Sequence, residues 1–186
     1  MTLLFKTFKI ASIGGVCYIL GRFFIHKAGL DYTTASDWLF RVLMVVVVSF
    51  SILRFKASKL GYLSFRDGFS IGGFTTIFLA FYIAFGTWFF VNYINPLYTQ
   101  GVEKSYRKMQ YKSMMEQYVY KNWNKKDTIT QGAIDTVQHG LDMYIEKTKF
   151  YFTLKGQVFI NGIYSLIWGV VISLTVSLMT RKVKEE

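Results

Sequence analysis

GFSIGGFTTIFLAFYIAFGTWFFVNYINPLYTQGV, residues 68–102, runs for 35 positions without a charged side chain. A helix needs about 20 mostly apolar residues to cross a hydrocarbon core ~30 Å thick, because each residue adds ~1.5 Å of rise. The run is too long for one crossing, and Asn95-Pro96 marks its end. Proline lacks the N–H of the helical ladder, and the residue before it is biased out of the helical region. The reading is a span over 70–93. A second uncharged run, 156–180, gives another over 157–180.

Two stretches further upstream reach spanning length only with their flanking cations. Residues 10–21 are uncharged between Lys9 and Arg22, and residues 42–53, VLMVVVVSFSIL, between Arg41 and Arg54. Lys and Arg stems can snorkel from the apolar zone to the headgroups. Counted that way, the spans cover 5–25 and 38–55, with Trp38 as an interfacial anchor. A buried helix of a soluble protein needs a polar face, and 42–53 has none. The first span has the basic start of a cleaved secretory signal, but GRFFIHKAG at 21–29 offers no small-x-small cleavage site. It reads as a retained span.

The composition agrees. Of 186 residues, 52% are apolar and only 18% charged, although the formal charge is +11. Soluble domains carry roughly 25% charged residues, so the basic excess is read as edging lipid. A single Cys, Cys17, excludes an internal disulfide and a thiolate metal cluster. The expected fold is all-α: an integral membrane four-helix bundle, one membrane domain over 1–186, with an extramembrane helical hairpin between spans three and four. The N-terminus, the second loop and the C-terminus share one side, which carries Lys6, Lys9, Arg54, Lys56, Lys59, Arg66, Arg181, Lys182 and Lys184. The third loop has ten cations, but spread far more thinly. Basic density therefore places both termini in the cytoplasm.

The long polar segment, 99–155, reads as two helices. In 99–122, Val102, Tyr106, Met109 and Tyr120 share a face opposite Lys104, Arg107 and Lys108. Thr128-Ile129-Thr130-Gln131 has capping-box spacing and starts a second helix. Its apolar stripe is Ile129, Ala133, Ile134, Val137, Leu141, Tyr144 and Ile145. Two helices of this length enclose little core. Val137, Leu141 and Tyr144 are therefore candidates for a surface that meets the other helix, the bilayer or a partner protein. A solvated connector is the alternative. Tyr and Trp among Lys and Arg would also suit stacking on single-stranded nucleic acid, but a membrane interface asks for the same residues. No nucleic-acid partner is expected.

In order, a basic end to span two (Arg54, Lys56), GYLSFRDGFSIGG at 61–73, YINPLY at 93–98, a Lys- and Met-rich helical segment, a second short helix and RK at 181–182 make a pattern. It resembles a bacterial family of small four-span membrane proteins catalogued as a domain of unknown function. The resemblance covers nearly the whole chain. It implies a bacterial inner-membrane location and this topology, and it implies no activity.

The residues themselves suggest little chemistry. No Asp or Glu lies in an expected span, whereas ion relays place titratable groups there. Arg22 and Arg41 lie near helix ends, where snorkelling suits them. Asn92 and Asn161 read as end-proximal groups bonded to backbone or headgroups, and Trp168 as a buried helix–helix contact. His26 and His139 lack a ligand cluster at metal spacing. Asp135, His139 and Asp142 share one face of the second hairpin helix, as solvated polar residues commonly do. No cofactor, metal site or catalytic residue is expected, and Cys17 reads as an inert thiol.

The strongest positive signal is a ridge in span four: Ser165, Gly169, Ser173 and Ser177, one every four residues. Lipid cannot drive helices together hydrophobically, so close approach of small residues must do it. Ala11-xxx-Gly15 and Ala80-xxx-Ala84 are weaker versions. The ridge serves packing within the bundle, or else a homo-oligomer or a partner subunit. The function expected is a non-enzymatic accessory or scaffold subunit whose partners are the bilayer and other membrane proteins. A small oligomeric transporter or channel is the alternative, with Thr75, Thr76 and Thr87 as its meagre lining.

Overall fold

The computed structural model describes residues 3–31, 34–121 and 131–181. Four helices are long and apolar enough to cross a membrane: α1 (Leu3–Lys27), α2 (Thr34–Ser58), α3 (Phe65–Phe89, continued by a π-helical turn, Phe90–Ile94) and α6 (Leu154–Thr180). Between α3 and α6 lie α4 (Tyr98–Lys121), α5 (Gln131–Lys147) and a 3-10 turn, Lys149–Phe152. The chain is an all-α helical protein with the build of a multi-pass membrane protein.

Local chemistry sets the helix ends. α3 starts five residues before the expected span because Ser64 caps it, accepting the Asp67 N–H at 3.0 Å. Asp67 in the first turn also complements the helix dipole. At the far end the Asn95 N–H bonds back to Phe90 O at 2.9 Å, five residues away, which makes the last turn π-helical. Asn95 then leaves the helical region at φ −135°, ψ 80°, as the residue before Pro96 should. α1 stops where Gly29 turns left-handed at φ 70° and the Leu30 N–H caps Ile25 O at 3.0 Å. α2 stops through Leu60 and Gly61, at φ 55° and 87°.

The chain forms two compact units, Met1–Pro96 with Val158–Glu186, and Leu97–Gln157. In the first, α3 is central. Ile71, Leu79 and Ile83 are buried with Ala11 and Tyr18 of α1, Met44, Val48 and Ile52 of α2, and Ile172 of α6. The outward faces are equally apolar, with Ile13, Val46, Phe81 and Ile167 exposed. Helices hydrophobic all round belong in lipid.

In the second unit α4 and α5 pack on each other. Ala133, Val137, Leu141 and Ile145 recur at helical spacing along α5 and are all buried. The Tyr106 and Tyr144 rings stack at 6.3 Å, and Tyr106 also meets Phe152 at 5.4 Å. Residues 128–130 of the expected capping box and Tyr120 of the expected α4 stripe lie outside the residues whose side chains are described. One other member of that stripe needs correction: Met109 is 60% exposed. Tyr106 does face α5, as expected, and Arg107, expected on the opposite face, reaches α5 as well.

Candidate functional site

The small-residue ridge of α6 is consumed inside the bundle. Ser165, Ser173 and Ser177 are fully buried. A Cβ added at Gly68 would sit 2.9 Å from Ser177 Oγ, and one at Gly72 2.5 Å from Ser173 Oγ. A Cβ added at Gly169 would overlap Thr76. Gly68, Gly72 and Thr76 advance along α3 by four residues as Ser177, Ser173 and Gly169 retreat along α6, which is an antiparallel interlock in strict register. Glycine matters here because it lets the backbones approach. Ala11-xxx-Gly15 does the same for α1, where a Cβ at Gly15 would press on the Tyr82 ring at 2.5 Å.

The hairpin residues part company. Val137 and Leu141, candidates for a surface that meets the other helix, the bilayer or a partner, are each 6% exposed on the inward stripe of α5, which packs on α4. Tyr144 stays 39% exposed and shares a 3.1 Å hydrogen bond between hydroxyls with Tyr106. That bond raises the Tyr106 pKa above its ordinary value, and burial adds to the effect. Arg107 donates to Asp142 at 2.6 Å and to Glu103 at 3.0 Å. Hydrogen bonds to these carboxylates, Asp142 first, raise its pKa too. Asp142 is thus committed to Arg107, and Asp135 accepts from Gln131 at 3.0 Å. Among the described residues, no cluster of three metal-ligating side chains forms.

The structure also assembles a polar cluster that sequence reasoning missed. Asp31, after α1, is 7% exposed, and its Oδ2 meets His26 Nδ1 at 2.5 Å. The same oxygen accepts from Asn95 Nδ2 at 3.0 Å, just past the π-helical turn. Arg22, expected to snorkel, is 4% exposed, with its guanidinium 4.5 Å from the Phe90 ring centroid. His26 packs edge-on against the same ring at 5.6 Å. Phe90 opens the π turn, and such turns recur at functional sites. Asp31 Oδ1 has no hydrogen-bond partner among the described residues. The cluster ties the end of α1 to the end of α3 through one carboxylate oxygen. In the sequence Asn95-Pro96 marks the end of the span, but nothing there marks Asn95 as a partner for Asp31.

Asn92 donates to Trp88 O at 2.8 Å, and Asn161 to Thr87 Oγ1 at 3.3 Å. Trp168 is 40% exposed rather than buried. Its ring and that of Trp38 each lie 6.0 Å from the Arg41 guanidinium, a cation–π contact in place of helix packing.

Residues 9–182 match the family described as "Protein of unknown function (DUF4199)". The chain belongs to that family. No curated protein and no solved structure matches it. The match to DUF4199 runs from α1 past the end of α6, so the ridge, the hairpin and the Asp31 cluster all lie within it.

Proposed function

We propose that this DUF4199 protein is a non-enzymatic accessory or scaffold subunit of a bacterial inner membrane, with both termini cytoplasmic, that works by associating with other membrane proteins. The observation that carries the reading is the apolar surface left open outside the four spans. Met109 is 60% exposed, Met143 50%, Phe150 52% and Tyr151 51%. Unbranched Met adapts to varied partner surfaces, and aromatics are the residues interfaces favour.

The alternative, a conduit, needs polar groups facing a path. Thr75, Thr76 and Thr87 are at most 1% exposed. Thr75 bonds Ile71 O at 2.8 Å and meets Ser51 at 2.7 Å. Thr87 bonds Ile83 O at 2.9 Å and meets Tyr18 at 3.3 Å. These two hydroxyls are spent on the bundle itself, which favours association.

A photo-crosslinker at Met109 or Met143, activated in native cells, is expected to give a discrete protein adduct. The same probe at lipid-facing Phe81 is expected to give none. A tagged copy that consistently purifies alone in mild detergent, with no adduct from either hairpin site, refutes the proposal.

A further inference from the structure

We propose that the α1–α2 face holds one anionic phospholipid, its phosphate at Lys6, Lys9 and Arg54 and an acyl chain in the groove beyond them. A cavity of about 450 Å³ opens where the first turns of α1 meet the last turns of α2 and Ile71 of α3. Lys6, Lys9, Ser51, Arg54 and Ser58 line it. A groove of about 590 Å³ runs between α1 and α2, walled by Ile13, Cys17, Trp38, Val46 and Phe50. The two adjoin, since Ile10, Ile13 and Arg54 line both.

Charge chooses the occupant. Lys6, Lys9 and Arg54 form no ion pair among the described residues. Three cations with no ion pair among the described residues, at the mouth of an otherwise apolar groove, complement a molecule with an anionic head and a hydrocarbon tail. Length agrees. From Arg54 to Trp38 the groove follows α2 for roughly 24 Å at ~1.5 Å per residue, more than one leaflet of a ~30 Å core. An acyl chain can therefore lie along it without leaving the apolar zone. A second copy of the chain suits the face poorly. A two-fold axis along the membrane normal would bring both sets of cations to the same depth, where they repel.

The test uses the whole protein, delipidated in a neutral detergent, with lipid retention followed by native mass spectrometry. Phosphatidylglycerol is expected to be retained at least tenfold better than phosphatidylcholine. Arg54→Gln or Lys9→Gln should each lower phosphatidylglycerol retention about fivefold, equivalent to ~1 kcal/mol per cation. All these positions are exposed, and an unchanged circular dichroism spectrum confirms that the variants fold. Val46→Trp, which fills the groove from an exposed position, should lower retention of both lipids. Equal retention of the two lipids, or indifference to all three variants, overturns the proposal. So does glycerol 3-phosphate displacing phosphatidylglycerol at equal concentration, since the site would then read a soluble phosphate and not a lipid.

Discussion

Asp31 and Asn95 stand 64 positions apart in the chain, yet one hydrogen bond joins them. Asp31 Oδ2 serves two donors in a nearly dry site, where bonds to a charged group are each worth about 1.5–3 kcal/mol. Asp31→Ala is therefore expected to lower stability by about 2 kcal/mol, read as a fall in unfolding temperature in detergent. Combined with Asn95→Ala, the loss should be less than additive, because both changes break the same bond. A strictly additive pair would mean the bond contributes nothing. Leu60 presents the opposite case. It holds φ 55° while 90% exposed, so a leucine side chain tolerates a left-handed backbone and gains no burial. Leu60→Gly should raise stability by about 1 kcal/mol, within the ~1–2 kcal/mol that L-residues lose there. The same assay would show no gain if α2 ended differently. Neither feature announces itself in the sequence. Asp31 sits in a short loop with no motif around it, and only the three-dimensional return of α3 gives it a partner.

At the scale of elements, α3 and α6 supply an internal control. Gly72 and Gly73 are neighbours in sequence, but a Cβ at Gly72 would press on Ser173 at 2.5 Å while one at Gly73 meets nothing within 4 Å. Gly72→Leu should cost about 2–3 kcal/mol through overpacking. Gly73→Ala should stabilise by up to about 1 kcal/mol through helix propensity. Equal effects at the two sites would deny the interlock. The four-residue recurrence of Ser and Gly in α6 was legible beforehand, because period and size suffice to mark a packing ridge. Its partner on α3 was not, since Gly68, Gly72 and Thr76 become a matching face only once the antiparallel register is known. In the second unit, the stacked Tyr106–Tyr144 pair sets a pH dependence. Tyr106 titrates above its usual value, so its contribution is complete below the ordinary tyrosine range and fades as pH rises through the elevated one. Ultraviolet titration of Tyr144→Phe should show one tyrosine ionising earlier than in the unaltered protein. An unchanged curve would mean that the hydroxyl pair does not hold in solution.

For the whole molecule, hydropathy located the four spans and could not orient any of them about its axis. Ala11 is buried while Ile13 is exposed, and Val48 is buried while Val46 is exposed. In water such pairs would differ in polarity; in lipid both sides of a helix are hydrocarbon, so the periodic signal that marks a core is erased. What survives is the alternation of sides along the chain. In the chain the turn after α2 precedes α3 and α4 follows it, so if α3 crosses the bilayer they occupy different compartments. With Cys17→Ser as background, Lys59→Cys and Lys112→Cys place one thiol in each; Lys112 is 80% exposed and Lys59 is exposed. On the proposed orientation, an impermeant maleimide should label Lys112→Cys in intact spheroplasts and Lys59→Cys only after the membrane is opened. The reverse pattern would keep the crossing and invert the termini, placing the dense basic turns outside against the charge rule. Labelling of both thiols from one side would remove the crossing itself, and with it the reason why Phe81 and Ile77 can stand exposed on α3.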